Sequence, residues 1–189
     1  MKVELGPRKM YLFPAIVVVV GTHVNGKPNY TTVSHTGPLG RSISIFLTKN
    51  SYSYQGIKEN GAFSINIPSS DQLVLVDYCG RVSGREVDKS ELFTTFYGEL
   101  QTAPMIEECP INSVCRVESM VEFETWGDGF VGEVVATYCD DDVLTEGKVD
   151  LRKVDPYFVS ARDLHYYGLG EKLAKVEIGR ELIKNKENH

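Results

Sequence analysis

The chain has 189 residues, 42% of them hydrophobic and 24% charged, with a formal net charge of −6. That length supports one sizeable core, and the acidic balance argues against a general nucleic-acid binder, which needs a basic stripe. No basic amphipathic segment points to a membrane surface, and the one strongly apolar run, Ala15 to Val20, is far too short to span a bilayer.

That run is also a poor signal peptide, because Gly21-Thr22-His23 is a poor cleavage context, so a cytoplasmic location is expected. Its β-branched content predicts a buried strand from Pro14 to Thr22. Asn25-Gly26 signals a hairpin, since both positions tolerate positive φ. The chain returns through polar, β-prone Asn29 to His35 and is expected to break at Gly37-Pro38. Ser42 to Thr48 alternates polar and apolar as a strand does. A short helix is expected from Ser51 to Asn60, capped near Asn50 or Ser51 and stopped by Gly61.

Ala62 to Pro68 reads as a strand with Phe63, Ile65 and Ile67 on one face. Ser69 to Gln72 matches a capping box, followed by a helix to Tyr78 with Leu73, Val74, Leu75 and Val76 mostly inward. Glu91 to Pro110, interrupted by Gly98, Pro104 and Pro110, is expected to wrap the surface. Val114 to Thr125 and Phe130 to Tyr138 read as long strands joined by Trp126 to Gly129. Asp140 to Asp142 lacks the spaced ligands and glycine of a calcium loop and reads as a solvated acidic turn. Leu151 to Val154 suits one helical turn, an aromatic stretch follows Pro156, and Glu181 to His189 reads as a solvated end. With no repeat or linker, one domain over residues 1–189 is expected, its core at about 10–170 and its tail at 171–189: a small, mostly β antiparallel barrel decorated by short helices.

The four cysteines, Cys79, Cys109, Cys115 and Cys139, form no C-x-x-C pair and match no zinc spacing, so no metal site is expected. Free, buried or half-buried thiols in a reducing compartment are expected for the last three. Cys79 opens the stretch "YCGRVSGREVDK", which suits an anion cradle built on Ser83-Gly84 with Arg81, Arg85 and Lys89. It equally suits a solvated loop balanced by Glu86 and Asp88. A catalytic thiol at Cys79 would need a basic neighbour; Arg81 is near in sequence, but no histidine is. Lys49-Asn50-Ser51-Tyr52-Ser53 sits where a strand gives way to a helix, which makes either a phosphate seat or a plain cap with a solvated lysine. Thr31-Thr32-Val33-Ser34-His35 suits the edge of a flat polar ligand, or simply an edge strand in water.

The segments "PAIVVVVGTHVNGKPNYTTVSHTGPLG", "LTKNSYSYQGIKENGAFSINIPSS", "VDYCGRVSGREVDK", "APMIEECPINSVCRV" and "FVGEVVATYCDDDVL", in this order, resemble the flavin reductase-like family, its flavoredoxin branch in particular. The resemblance covers roughly Pro14 to Leu144, and "YYGLGEKL" extends it. It implies an antiparallel Greek-key split β-barrel with short peripheral helices, and a homodimer binding FMN near the subunit interface. The flavin ring is then expected along Asn29, Thr31, Thr32, Val33, Ser34 and His35, with the phosphate at Lys49, Asn50, Ser51, Tyr52, Ser53 and Tyr54. Cys79, Ser83 and Lys89 are expected to close over the cofactor, with Asn66 facing it as well. Members often carry a tryptophan or another aromatic near His35-Thr36; here a histidine stands, to hydrogen-bond the flavin or its donor or simply to fill the space. The implied activity is an NAD(P)H-dependent reductase passing electrons through flavin to free flavin or a ferric chelate. The alternative is a flavoredoxin-type carrier exchanging electrons with a redox protein partner, and a third is a binding module without flavin. No G-x-G-x-x-G fingerprint is present, so NAD(P)H would dock only as a transient donor.

Overall fold

The computed structural model describes residues 2–4, 15–174 and 176. The expected strand start at Pro14 and the solvated end at Glu181 to His189 lie outside the described residues. The strands up to the middle of the chain are β1 (Ala15–Ile16), β2 (Val18–Val24), β3 (Lys27–Val33), β4 (Thr36–Leu39), β5 (Ser42–Thr48) and β6 (Ala62–Ile67), with helix α1 (Tyr52–Asn60) between the last two. Helix α2 (Leu73–Arg81) follows, then the short pair β7 (Thr95–Phe96) and β8 (Met105–Ile106). The two longest strands are β9 (Ile111–Val121) and β10 (Gly127–Cys139). The chain continues through β11 (Leu144–Thr145), β12 (Lys148–Val149), α3 (Leu151–Val154), β13 (Phe158–Ser160) and β14 (His165–Tyr167).

Seven strands form one antiparallel sheet in the order β3-β2-β6-β9-β10-β5-β4. The sheet curls around a core of Val18, Val20, Val33, Ile45, Ile57, Phe63, Ile65 and Phe130. The edge strands β3 and β4 do not pair with each other, so the barrel is split. The mostly β, antiparallel split-barrel class read from the sequence is the observed one.

The run Ile16 to Val20 is apolar throughout because β2 is covered on both faces. Val18 and Val20 enter the barrel core, while Val17 and Val19 join a second cluster with Tyr30, Val76, Cys79, Phe93, Ile106 and Tyr157. The hairpin turn forms at Asn25-Gly26, with φ of 52° and 77°. From β5, α1 crosses the barrel end to reach β6, burying Ile57 in the core, and Gly61 ends it in the left-handed region. Gly56 lets α1 lie directly on β2: a Cβ there would sit 2.1 Å from the His23 carbonyl oxygen.

Several expectations change. Gly37-Pro38 lies inside β4, which tolerates proline because it is an edge strand. Val74 and Leu75 face solvent, since α2 buries only the stripe of Val76 and Cys79. Residues 91–110 do not wrap the surface: Phe93, Ala103, Met105, Ile106 and Cys109 are buried as part of the outer layer. Gly127 to Gly129 belongs to β10, so the β9–β10 connection ends at Trp126. All four cysteines are free, but Cys139 is exposed where a buried or half-buried thiol was expected, because it sits at the outer end of β10.

Candidate functional site

A cavity of about 440 Å³ opens where three of these features meet: the free edge of β3, the first turn of α1 and the loop after α2. Each feature is placed by a local cause. Strand β3 is an edge strand, so alternate residues direct N–H and C=O away from β2. One such group, the Tyr30 carbonyl, accepts from Lys89 Nζ at 3.0 Å. Helix α1 begins at the end of β5, with no acidic residue in its first turn and no side chain capping its amides. Helix α2 is held against β3 by Thr32 Oγ1, which donates to the Val76 carbonyl at 2.6 Å. Gly80 makes that approach possible, since a Cβ there would sit 2.9 Å from Thr32 Cβ.

Twelve of the sixteen expected contacts line this cavity: Asn29, Thr31, Thr32, Val33, Ser34, His35, Asn50, Ser51, Tyr52, Ser53, Ser83 and Lys89. Asn29 Nδ2 donates to Ser53 Oγ at 2.7 Å, tying the β3 wall to the α1 wall. The other four face elsewhere. Lys49 Nζ donates to the Phe123 carbonyl at 2.8 Å and lies 3.3 Å from Asp128 Oδ1. Tyr54 donates to Asp128 Oδ2 at 2.7 Å and packs on Phe130. Burial would raise the Asp128 carboxyl, but the Phe123 amide, Tyr54 hydroxyl and Lys49 outweigh it and hold the group below the usual carboxylate range. Asn66 is fully buried on β6, bonded to the Val19 carbonyl, Ser64, the Ile106 amide and Asn112. Cys79 is fully buried among Val17, Val19 and Val76, on the side of α2 that packs against the sheet. Burial raises its thiol pKa, against Lys89 and Thr32, which leaves it a poor nucleophile.

Sequence reasoning missed the aromatic rim. Phe46, Leu47 and Thr48 line the cavity from β5, Trp126 from the β9–β10 connection, and Gly80 and Val82 from the α2 end, beside Arg81 and Gly84 of the expected anion cradle. Phe46 and Trp126 meet edge-on at 4.8 Å, with His35 6.3 Å from Trp126. The alternation of SISIFLT held half the signal, since it set Phe46 on one face; nothing local linked it to Trp126.

The electrostatics are one-sided. Among the described residues no Asp or Glu lines the cavity, although acidic side chains outnumber basic ones 26 to 20 in the chain. Lys89 is 4% exposed, has no carboxylate within 4 Å among the described residues, and leans on two carbonyls, Tyr30 and Cys79, the second at 2.7 Å. Burial lowers its pKa, opposed by the Cys79 thiol. A buried ammonium supported only by neutral acceptors is costly, and an electron-rich ligand in the cavity would offset that cost. Among the described residues no group of acidic, histidine or cysteine side chains could hold a metal ion, and no helix is long and apolar enough to cross a membrane.

A family model described as a flavin reductase like domain matches residues 10–166. The chain is 38% identical to flavoredoxin from Methanosarcina acetivorans, with a TM-score of 0.91 over 96% of this chain and 99% of that one. Flavoredoxin of Desulfovibrio vulgaris (Miyazaki F) is 33% identical, with a TM-score of 0.87 over 95% and 100% of the two chains. An uncharacterised protein of Archaeoglobus fulgidus is 31% identical over 75% of this chain and 81% of its own length.

Proposed function

Because the chain belongs to the flavin reductase-like family, we propose that it binds FMN in the β3–α1 cavity and acts as an oxidoreductase drawing electrons from NAD(P)H. The acceptor on this reading is free flavin or a ferric chelate. The observation that carries it is a cavity free of carboxylates among the described residues, with a buried lysine at its wall and an uncapped helix start at its end. FMN joins a flat ring with a polar edge to a phosphate of about two negative charges, and the lining suits both parts. The volume also lies within the range of about 300–1,000 Å³ typical of cofactor sites.

When bound, the flavin supplies the redox chemistry itself, which is why no acid–base pair or triad is needed. The chain's own residues bind and orient. The free edge of β3, with Thr31, Thr32 and Ser34, reads the ring's polar edge through backbone and hydroxyl groups. Asn50 to Ser53 receive the phosphate on the first turn of α1. Lys89 sets a positive charge beside the ring, and Phe46, Trp126 and His35 flank it with aromatic surface. A homodimer belongs to the same reading, and exposed Val121, Phe123 and Trp126 offer it an apolar surface near the cavity mouth. Sedimentation velocity that finds only monomer at micromolar concentration removes that part.

The second reading is a flavoredoxin-type carrier that exchanges electrons with a redox protein partner. It is favoured by the 38% and 33% identities to the two flavoredoxins over nearly the whole chain. Anaerobic stopped-flow mixing with NADH and NADPH divides the two. Rapid bleaching of bound FMN is expected for the reductase; bleaching only by a protein donor leaves the carrier. Protein that stays colourless after incubation with FMN removes both.

A further inference from the structure

A smaller cavity, of about 230 Å³, opens off the first between the second half of α2 and the β13–β14 hairpin. Thr32, Ser34, Gly80 and Arg81 line both, so the two spaces meet at the free edge of β3. The rest of its lining is Val17, between β1 and β2, Asp77 on α2, Val159 on β13 and Tyr166 on β14. The volume falls below the range of about 300–1,000 Å³ typical of a whole ligand, which suits one ring of a larger molecule.

Its polar side is a built cluster. Helical spacing sets Asp77, Gly80 and Arg81 on one face of α2. Asp77 Oδ1 accepts from the Tyr166 hydroxyl at 2.5 Å and from Arg81 Nε at 3.4 Å. Burial, and then the bond to Asp77, push the Tyr166 hydroxyl up to about 12, so it keeps its proton and donates. Both bonds fall on the same carboxylate oxygen. Among the described residues Asp77 Oδ2 has no hydrogen-bond partner, and neither do the two terminal nitrogens of Arg81. The cluster therefore offers an acceptor and a donor side by side, between the apolar sides of Val17 and Val159. A phosphate or carboxylate would meet the charge of Asp77, so an anion fits poorly. A carboxamide fits both groups, because its nitrogen donates and its oxygen accepts.

We propose that this cavity receives the carboxamide-bearing ring of a nicotinamide nucleotide, with Asp77 Oδ2 accepting from the amide nitrogen and Arg81 donating to the amide oxygen. This deepens the flavin reading and rests on it: it gives the NAD(P)H donor a place in a chain without a G-x-G-x-x-G fingerprint. Tyr166 is a positioning residue, which fixes the carboxylate through Oδ1 and leaves Oδ2 for the ligand.

Calorimetric titration of the FMN-loaded full chain with NAD⁺ and NADP⁺, and with their 3-acetylpyridine analogues, tests this without turnover. The analogues keep the ring carbonyl and carry a methyl group in place of the amide nitrogen. The tighter of the two nucleotides is expected to bind at least about tenfold more tightly than its analogue, the scale of one charge-assisted hydrogen bond. D77L is expected to lose that preference while its FMN affinity stays within about twofold of wild type, because Asp77 lies outside the first cavity. R81M is expected to weaken nucleotide and analogue alike, by about tenfold, since both keep the oxygen. Equal wild-type affinity for nucleotide and analogue, or no binding of either nucleotide to the FMN-loaded protein, overturns the inference, and neither result depends on a variant folding. A D77L protein that loses nucleotide and analogue in parallel gives Asp77 a structural role and overturns it too. Wild type that takes up no FMN overturns the flavin reading itself, so the two failures are distinguishable.

Discussion

Replacing Lys89 with methionine separates a ligand-facing cation from a structural strut, because the two roles predict opposite readouts. As a strut, Lys89 bonds two buried carbonyls, Tyr30 at 3.0 Å and Cys79 at 2.7 Å, and the second sits near the carbonyl end of α2 where a cation is favourable. Leaving two carbonyls unpaired costs about 1–3 kcal/mol each. Against that, methionine removes the desolvation penalty of a buried ion, which is several kcal/mol. These terms oppose, so the ligand-free K89M protein is expected within about 2 kcal/mol of wild type by urea unfolding. FMN affinity has no such compensation: losing one charge-assisted contact costs about 1.5–3 kcal/mol, or about 10- to 100-fold in Kd. The pH dependence sharpens the contrast. Burial sets the folded lysine pKa below its ordinary 10.5, so between the two values the unfolded chain binds more protons and ligand-free stability rises with pH. That rise is expected in wild type relative to K89M, while wild-type FMN affinity falls through the same window as the charge is lost. A K89M protein that unfolds far more easily yet binds FMN as wild type does would falsify the ligand role.

Three further outcomes follow from geometry. N66A strips partners from the Val19 carbonyl, Ser64, the Ile106 amide and Asn112, all buried, and is expected to cost about 2–4 kcal/mol in chemical denaturation while leaving flavin stoichiometry intact. A loss of flavin binding without a loss of stability would return Asn66 to the site. G56A places a Cβ 2.1 Å from the His23 oxygen and 2.8 Å from Val24 Cγ2, so α1 must lift from β2. A loss of about 1–3 kcal/mol is expected, with weaker FMN binding because the start of α1 moves too; an unchanged Tm refutes the close packing. Asp128 is held below the ordinary carboxylate range, so it stabilises the fold above its unfolded pKa, and that contribution is lost as pH falls through the lower folded value. D128N is therefore expected to flatten the acid limb of the stability curve, and an acid limb identical to wild type counts against the Asp128 cluster.

What the sequence made legible was local. The Asn25-Gly26 turn, the α1 start at Ser51 and its stop at Gly61 depend on a few adjacent residues, and all three appear where expected. The apolar run of β2 was readable as a strand, though not as one covered on both faces. Twelve of sixteen expected contacts line the cavity because the site is made from three continuous stretches, each with its own signature. The exceptions are residues whose direction depends on distant partners. Lys49 looked free until the fold brought Asp128 beneath it, and Asn66 looked ligand-facing until Ile106 and Asn112 closed around it. Residues 91–110 read as surface because their prolines and glycines hid a buried layer that exists only against distant elements: Phe93, Ile106 and Cys109 pack with Val19 and Val76, and Ala103 and Met105 with Ala62 and Val114.

The cavity itself is a consequence of incomplete closure. A sheet that closed into a barrel would pair the outer edge of β3 and leave no backbone groups for a ligand. Here β3 and β4 stay apart, and α1 fills the end of the barrel instead, which brings uncapped amides to the β3 edge. The loop after α2 then covers part of that edge with Lys89 and Gly84 rather than with another strand. On the proposed reading, much of the recognition on the β3 side falls to backbone groups, which side-chain substitution leaves in place. Thr31→Val and Ser34→Ala are accordingly expected to shift FMN affinity less than K89M does in a fluorescence titration. If the two hydroxyl variants prove the more damaging pair in the same titration, the ring's polar edge is read by side chains, and the free strand edge is not what makes this split barrel a binding site.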